Sequence, residues 1–440
     1  MKRVFSLALT ALLLAGCTAA PADGNQSSAA VTAETAAAQA STGNGEPLRL
    51  LQHGDEKQYY TQESLDDSGT MILYHVVDLQ SGEDTIPCDV EGCTHDSESC
   101  PAVSTDVPAY QPFVLNDTTL VVISVKTDFS QIGAVEPSPD GSVPLSYDSK
   151  ILLMDRDCQN RRVLTELDGV DLFWDPNILY TDGDFLYCPG RENNVYNIYR
   201  ISLSDGTITN LTEHFQTSQF MIGVIGRNYV LQQENLTYPD PSTDVAIDGW
   251  PETTGTISHV LMNVDTGETR LLKSYSSDER NLDLLDACVV DGQYYTVDRN
   301  SGTLCTVASD TGEEHLITEQ LPTAGRDDHS ANYRIEANLN GWLVFYNQPI
   351  VVNAETGEVR QRADLPENYW NGYGHQPQIF LQLKDRLLVD CRYESYTRTD
   401  ISDDGSPYTT QTEQMYLGLI SIDDFLNGVP NYTEVCKGPY

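Results

Sequence analysis

The chain has 440 residues, with 66 acidic and 25 basic side chains and a formal net charge of −41 at pH 7. This charge repels nucleic acid and anionic lipid headgroups, so it argues against a nucleic-acid partner and against a basic membrane-binding surface. It favours cationic partners and divalent ions, although an acidic surface that only keeps the protein in solution explains it equally well.

The first residues carry an export signal that ends at a cysteine. Lys2 and Arg3 precede an apolar run at residues 5–15, which is too short to span a bilayer core of about 30 Å. The sequence Leu-Ala-Gly-Cys at 14–17 resembles the lipobox of bacterial lipoproteins. The resemblance implies a signal peptide over residues 1–16 and a diacylglycerol on Cys17. The alternative is an ordinary signal peptide with an incidental cysteine.

The anchor predicts both a location and a tether. We expect the protein on the outer face of the bacterial cytoplasmic membrane, held only by its lipid, because no later segment reaches transmembrane length. Residues 17–46 are mostly Ala, Ser, Thr, Gln and Gly, and such a segment cannot bury enough apolar surface to fold. It is predicted to be a disordered linker of about 30 Å, which leaves residues 47–440 as the folded domain.

Paired β-turns recur along this domain. Short runs that alternate apolar and polar residues flank Asp-Gly or Asp-Thr-Gly sequences, which indicates β-hairpins. Seven such turns are expected near residues 80–82, 157–160, 204–206, 265–267, 310–312, 355–357 and 423–428. A second hairpin turn is expected upstream of each, near residues 54–55, 116–117, 182–183, 226–228, 291–292, 340–341 and 384–386.

Two linked hairpins make a four-stranded meander, and Gly267, Gly312 and Gly357 recur at intervals of 45 residues. Four strands at a period of about 40–50 residues are typical of a propeller blade. The sequence therefore predicts an all-β fold, a single β-propeller of four-stranded antiparallel blades. Seven blades fit the turns best, with six or eight as alternatives. Stacked β-sandwiches lack this period, and β-helices repeat faster.

The repeats resemble extracytoplasmic propellers of the TolB-like and YVTN-like type, in which the outer strand ends in a D-x-x-T-G or D-T-G turn. The resemblance covers residues 47–440 and implies the fold, but one fold hosts many functions. Polar insertions at 128–150, 234–256 and 395–414 are expected to be long loops. They are predicted to join the second and third strands of blades 2, 4 and 7, and so to lie on one face.

Three cysteines and a histidine lie within 13 residues, at Cys88, Cys93, His95 and Cys100. Three thiolates and an imidazole satisfy the tetrahedral preference of Zn²⁺, so they predict a structural zinc site that pins the loop after blade 1. Oxidation is the rival interpretation. Nine cysteines remain once Cys17 is lipidated, and two of the three clustered thiols would then form a disulfide. Free thiols are a third alternative.

The spacing C-x4-C-x-H-x4-C-P-A also resembles a segment of uncharacterised clostridial-type lipoproteins with propeller-like repeats, and Pro101 and Ala102 complete the match. No activity or ligand carries over from that resemblance. The remaining cysteines are expected to be small buried apolar residues. They are Cys158, Cys188, Cys288, Cys305, Cys391 and Cys436.

An aromatic, glycine-rich segment is a candidate binding site. Tyr369, Trp370, Tyr373 and His375 lie within seven residues of one another, and exposed aromatic rings stack on sugars or anchor interfaces. The alternative is a blade-connecting loop whose rings cover the core.

The sequence lacks a G-x-S-x-G elbow, a Walker-type phosphate loop and an H-E-x-x-H zinc motif. A non-catalytic binding or scaffolding module for a protein, peptide or glycan is therefore the first hypothesis. A cell-surface polysaccharide hydrolase or lyase that uses loop carboxylates is the second, and a structural hub of an envelope complex is the third. Acidic or histidine side chains that converge at one mouth of the channel would favour the enzyme.

A single substitution tests the lipid anchor. Cys17→Ser removes the sulfur that accepts the lipid, so we expect the variant in the soluble fraction and the unmodified chain with the membranes. Incorporation of a radiolabelled fatty acid measures the modification directly. Continued labelling of the variant would contradict the assignment of Cys17.

Overall fold

The computed structural model describes residues 45–65, 71–105, 110–128, 146–173, 178–192, 195–213, 215, 219–237, 254–279, 282, 285–322, 333–346, 348–362, 377–401 and 407–438. Apart from the strand ends Asp128 and Ser146, these residues lie in a compact unit that comprises residues 42–127 and 147–440. Within these ranges, every helix is too short or too polar to cross a membrane.

The strands form seven antiparallel sheets, which confirms the predicted propeller of seven four-stranded blades. Five blades consist of four consecutive strands. Blade 2 contains β6 (Phe113–Val114), β7 (Thr119–Asp128), β8 (Ser146–Asp155) and β9 (Arg162–Asp168). Blade 4 contains β15 (Gln219–Ile225), β16 (Asn228–Thr237), β17 (Thr254–Asn263) and β18 (Thr269–Ser276). Blade 5 contains β19 (Leu285–Val290), β20 (Gln293–Asp298), β21 (Thr303–Val307) and β22 (Glu314–Thr318).

The last two blades follow the same order. Blade 6 contains β23 (Ile335–Leu339), β24 (Trp342–Phe345), β25 (Ile350–Asn353) and β26 (Val359–Gln361). Blade 7 contains β27 (Ile379–Gln382), β28 (Arg386–Ile401), β29 (Pro407–Ser421) and β30 (Thr433–Lys437).

Blades 1 and 3 each have one strand in two pieces. In blade 1 the inner strand is reduced to a single antiparallel bridge between Gly54 and Tyr59. It is followed by β2 (Gln58–Ser64), β3 (Ile72–Asp78) and an outer strand split into β4 (Asp84–Thr85) and β5 (Val103–Ser104). In blade 3 the inner strand is split into β10 (Val170–Leu172) and β11 (Tyr180–Thr181), followed by β12 (Phe185–Glu192), β13 (Val195–Ser202) and β14 (Ile208–Asn210).

Twelve of the fourteen predicted turns separate paired strands as expected, and the predicted turn at residues 54–55 closes the single bridge between Gly54 and Tyr59. The inner and outer turns of the blades lie at one end of the ring, here called the turn face. The second strand of each blade joins the third at the opposite end, here called the loop face. The seventh outer turn is instead a short helix, α1 (Ile422–Asn427), because Ser421 caps its first turn and Gly428 ends it in the left-handed conformation.

The outer turns are held by a recurring local chemistry. In blade 4 the side chain of Asn263 accepts hydrogen bonds from the backbone N–H groups of Asp265 and Thr266. The N–H of Gly267 then closes the turn on the carbonyl of Asn263 at 2.9 Å. The glycine has a φ of 69°, a conformation that costs other residues about 1–2 kcal/mol. These local preferences explain why the turns were predictable.

The apolar core lies between the blades. Seven clusters of buried side chains each join two consecutive blades. In one of them Tyr59 and Val77 of blade 1 pack against Leu388 and Leu417 of blade 7. The ring therefore closes between its first and last blades by side-chain packing, without a strand shared between them in the described residues.

The N-terminal segment spans several blades before it enters blade 1. Its strand β1 (Arg49–Leu50) pairs with β11 of blade 3. The N–H of Leu48 donates to the Gly226 carbonyl of blade 4, and the Gln52 carbonyl accepts from Val114 of blade 2. Arg227, in the inner turn of blade 4, donates to the Glu46 carbonyl and bonds Asp265 at 2.5 Å and 2.6 Å. The chain thus enters the domain at the turn face.

The strand order confirms that the three predicted insertions join the second and third strands of blades 2, 4 and 7. For one of these insertions the predicted conformation was wrong. Residues 395–414 were expected to be a loop, but β28 and β29 pair as far as Ile401 and Pro407. The alternating Thr and Tyr residues of this segment favour a two-stranded ribbon over an irregular loop.

Two glycines in equivalent turns give a matched test of the packing between blades. A Cβ added to Gly312 would overlap the Leu272 carbonyl oxygen of blade 4, whereas a Cβ on Gly267 would meet nothing within 4 Å. We expect Gly267→Ala to lower the free energy of unfolding by about 1 kcal/mol, from backbone strain alone. Gly312→Ala should cost about 1–3 kcal/mol more, from overpacking. Urea unfolding followed by circular dichroism measures both, and equal losses would contradict the proposed contact.

Candidate functional site

The cysteine-rich segment is an insertion within the outer strand of blade 1. Thr85 of β4 lies opposite Val76, so an unbroken strand would place Cys88 opposite Leu73. Val103 of β5 occupies that position instead, fifteen residues later. The chain therefore leaves the strand after Thr85, forms a loop over residues 86–102, and returns to the same strand in register.

The four predicted metal ligands converge in this loop. One ligand atom each from Cys88, Cys93, His95 and Cys100 lies within 4.8 Å of all the others. The His95 Nδ1 is 3.2 Å from the Cys100 sulfur. The three sulfurs are not joined by disulfide bonds. Cys100 is almost fully buried, and the other three residues are half-buried.

The backbone of the loop directs the side chains inward. Gly92 and His95 both have left-handed backbone conformations, with φ values of 75° and 56°. The N–H of His95 donates to the Cys93 sulfur and lowers the pKa of that thiol. Burial raises the pKa of the Cys100 thiol to about 12. The Cys93 thiol is thus more easily ionised than usual, and the Cys100 thiol is less easily ionised.

The loop also packs against blade 2. Arg161 donates to the carbonyl oxygens of Pro101 and Val103 at 2.7 Å and 2.9 Å. Gln159 donates to Asp89 at 2.8 Å. The cluster therefore lies where blades 1 and 2 meet at the outer rim of the ring.

Of the other cysteines, Cys158 lies in the outer turn of blade 2 and the remaining five lie on strands. Cys391 is half-buried and the other five are buried in the core. Burial raises the pKa of the Cys158, Cys288, Cys391 and Cys436 thiols to about 12, which makes them poor nucleophiles and metal ligands.

The aromatic candidates Tyr369, Trp370, Tyr373 and His375 lie outside the described residues, so their role remains a prediction. The flanks of that segment are described: it follows β26 of blade 6 and precedes β27 of blade 7.

A cluster of ionisable groups lies at these flanks, and no motif in the sequence indicated it. The Ile379 N–H, at the start of β27, donates to Glu336 at 2.7 Å. The N–H of Gln378 donates to the buried carboxylate of Asp390, which also accepts from Tyr393 at 2.8 Å. Glu336 therefore holds the beginning of blade 7 against blade 6, and Asp390 holds it against the second strand of its own blade.

Burial dominates the electrostatics of this cluster. Glu336 is partly exposed as a residue, but its carboxyl lies among buried groups, and this desolvation raises the pKa of Glu336 to about 7. Desolvation also lowers the pKa of Arg362 to about 10, although Glu336 and Asp390 oppose that change. The Arg362 guanidinium stacks 4.3 Å above the centroid of the Phe425 ring. An isolated Glu within the apolar inner strand β23 was the only signal in the sequence.

A groove opens on the turn face. It has a volume of about 390 Å³ and lies between blades 2 and 3. Its polar lining includes Asn116, Asp155, Asn160 and Arg162. Asn160 donates to Asp155 at 2.6 Å, so these side chains already partner each other.

No protein-family model and no curated protein matches the chain. Among solved structures, Sqt1 from Saccharomyces cerevisiae is 10% identical, with 91% of this chain and 98% of that chain covered and a TM-score of 0.42. The β-propeller domain of the Trilobed protease from Pyrococcus furiosus, which has an open velcro topology, is 8% identical over 86% and 98% of the chains, with a TM-score of 0.40. A protein provisionally named TolB from Agrobacterium tumefaciens is 14% identical over 66% and 89%, with a TM-score of 0.34. The chain is similar to each of them in fold, and nothing about activity follows.

The pKa of Glu336 predicts a pH dependence of stability. A carboxyl whose pKa is raised by folding stabilises the fold below its unfolded value, and this stabilisation is lost as the pH rises from about 4.5 to about 7. Glu336→Gln keeps an oxygen for the Ile379 N–H and removes the charge, while Arg362 retains Asp390 as a partner. We expect the variant to be more stable than the parent above pH 7, by roughly 1–3 kcal/mol, and equally stable below pH 4.5.

Urea unfolding between pH 4 and pH 8 measures this difference. Glu313→Gln, at an exposed position beside the outer turn of blade 5, is the matched control and should change stability by less than about 0.5 kcal/mol at any pH. A Glu336→Gln variant with the pH profile of the parent would show that this carboxyl is not desolvated.

Proposed function

We propose that the protein is a lipid-anchored propeller outside the cell that binds a cationic protein or peptide through its loop face. Lipid attachment at Cys17 and a location on the outer face of the cytoplasmic membrane are part of this proposal, as is kinship with the lipoproteins that its cysteine segment resembles. The scaffold itself is a ring of seven blades. It suits a binding module because loops held on a rigid frame lose little conformational entropy when a partner binds.

The observation that carries the proposal is that the two faces of the ring are used differently. The N-terminal segment enters the domain at the turn face, beside Arg227 and Glu46. All three long connections leave from the loop face. A lipid at Cys17 would therefore tether the turn face and leave the loop face free for a partner.

Among the strands that the structure describes, β28 and β29 form the longest ribbon toward this face. The strand β28 has 16 residues, and the longest strands of blades 2 and 4 have 10. At about 3.3 Å per residue, the six additional residues extend it by about 20 Å. Its described side chains are polar, and Gln411 bonds Thr397 across the two strands at 3.0 Å. An exposed polar ribbon offers backbone and side-chain partners to an incoming chain.

Charge supports a cationic partner. Residues 129–145, 238–253 and 402–406, which connect the strand ends on the loop face, contain eight Asp or Glu and no Lys or Arg. Complementary charge accelerates association and excludes acidic partners, and its effect weakens with salt. A neutral glycan would not be attracted by these acidic side chains.

The hydrolase hypothesis receives no support from the described carboxylates. Glu336 and Asp390 are the buried acidic pair nearest the loop face of blades 6 and 7, and each already accepts a backbone N–H of the segment that begins blade 7. Their role is therefore to position a strand, and they are not free to act as a catalytic acid and base. A structural hub in an envelope complex would use the same face and is a special case of the binding hypothesis.

Shortening the ribbon tests the proposal. Ser395 pairs with Glu413, so replacing residues 396–412 by Asn-Gly should close the hairpin with a tight turn and leave the blade intact. We expect the parent chain to bind cationic peptides on an array in low salt and to lose this binding in high salt. The shortened variant should bind at least about tenfold more weakly at unchanged thermal stability.

Thr266→Ala, in an outer turn on the opposite face, is the control and should bind like the parent. Equal binding by the shortened and parent chains would overturn the assignment to the ribbon. Salt-insensitive binding on a glycan array, or turnover of a labelled polysaccharide, would favour the glycan-binding or hydrolase alternatives instead.

A further inference from the structure

We propose that Cys88, Cys93, His95 and Cys100 bind one Zn²⁺ ion as a tetrahedral Cys₃His structural site that holds the insertion in the outer strand of blade 1. The proposal is independent of the partner assigned to the loop face. It concerns the rim between blades 1 and 2, and no active role in chemistry is required of the metal.

The spacing of the ligand atoms fits this ion. Zinc bonds of about 2.3 Å to sulfur and 2.0–2.1 Å to nitrogen place the corners of a tetrahedron about 3.5–3.8 Å apart. The four ligand atoms lie within 4.8 Å of one another, so closing them onto an ion needs shifts of only about an ångström. Three soft thiolates and one imidazole suit Zn²⁺ better than the hard cations Ca²⁺ and Mg²⁺.

The conformation of His95 is the second observation. A residue with a side chain at a φ of 56° is uncommon and costs free energy unless the structure compensates. Here the conformation brings the imidazole Nδ1 to 3.2 Å from the Cys100 sulfur. A disulfide between two of the thiols would use neither the histidine nor the third cysteine. A shared metal uses all four groups.

The surroundings also suit an ion with three thiolates. The backbone N–H groups of His95 and Ala102 donate to the sulfurs of Cys93 and Cys100. The Arg161 guanidinium donates to the carbonyls of Pro101 and Val103, which follow Cys100 in the chain. Such outer contacts orient ligands and offset the net negative charge of a Zn²⁺ ion bound to three thiolates.

The metal would stabilise a loop that buries too little apolar surface to have a core of its own. Within residues 86–101 the backbone hydrogen bonds that the structure shows are those of short turns, and only Ala102 already bonds the Tyr74 N–H of β3. The apolar contacts of the loop form one small cluster, in which Cys100 and Ala102 pack on Leu73 and Ile86, Cys88 and Cys93 are only partly buried. Seventeen residues ordered by so little burial need a cross-link, and a structural zinc site provides one.

The test begins with the full chain purified under anaerobic, reducing conditions and supplied with Zn²⁺. Elemental analysis should find one zinc per chain. Cobalt substituted for zinc should show the visible absorption of a tetrahedral thiolate site. A stronger chelator should remove the ion, release three thiols to a thiol reagent, and increase proteolysis between residues 86 and 102 while the circular dichroism of the blades stays unchanged.

Variants separate a ligand set from a folding defect. Cys93→Ser and His95→Ala should each lower zinc affinity at least tenfold and leave the propeller folded, because the loop is outside the strand ladder. Cys288→Ala, in the core between blades 5 and 6, should bind zinc like the parent. Native-like protein without zinc or cobalt after reconstitution would overturn the proposal. So would a mass lower by two hydrogens, with a disulfide among the three cysteines, in protein isolated from its own cell envelope.

Discussion

Face-to-face packing between neighbouring blades is the constraint on which the rest of the structure depends. A blade is a thin sheet with apolar side chains on both sides, and it buries them only between two other blades. Seven buried clusters meet this requirement around the ring, and the last joins blade 7 to blade 1 through side chains. The N-terminal segment adds backbone hydrogen bonds to blades 2, 3 and 4 and so fixes where blade 1 begins.

The same packing makes the two faces of the ring unlike. On the turn face, the outer turns of blades 5 and 6 lie so close to the preceding blade that a Cβ added to Gly312 or Gly357 would overlap the carbonyl oxygen of Leu272 or Ile317. The outer turn of blade 7 differs, because it carries the helix α1, which packs between blades 6 and 7. The extended hairpin of blade 7 lies at the loop face and the cysteine-rich insertion lies at the outer rim. Both insertions are therefore away from the closely packed outer turns of blades 5 and 6.

The four residues predicted to bind a metal converge in the structure, and metal binding itself remains a prediction. The spacing from Cys88 to Cys100 indicated four ligands because soft donors this close in sequence can reach one ion. It did not indicate that the loop interrupts a strand. The cluster of Glu336, Arg362 and Asp390 was missed because its members are distant in sequence and meet only when blades 6 and 7 pack. The aromatic residues at 369–375 remain a prediction.

What the sequence determined by itself is local. Asp, Asn, Thr and Gly at fixed offsets set the turns, the turns set the strands, and fourteen turns set seven blades, because each turn is stabilised by hydrogen bonds within a few residues. The tertiary structure alone decided which strands are split, how the ring closes, where the chain enters, and which charges are buried. Those features depend on contacts between residues far apart in the chain, and only the packed ring brings such residues together.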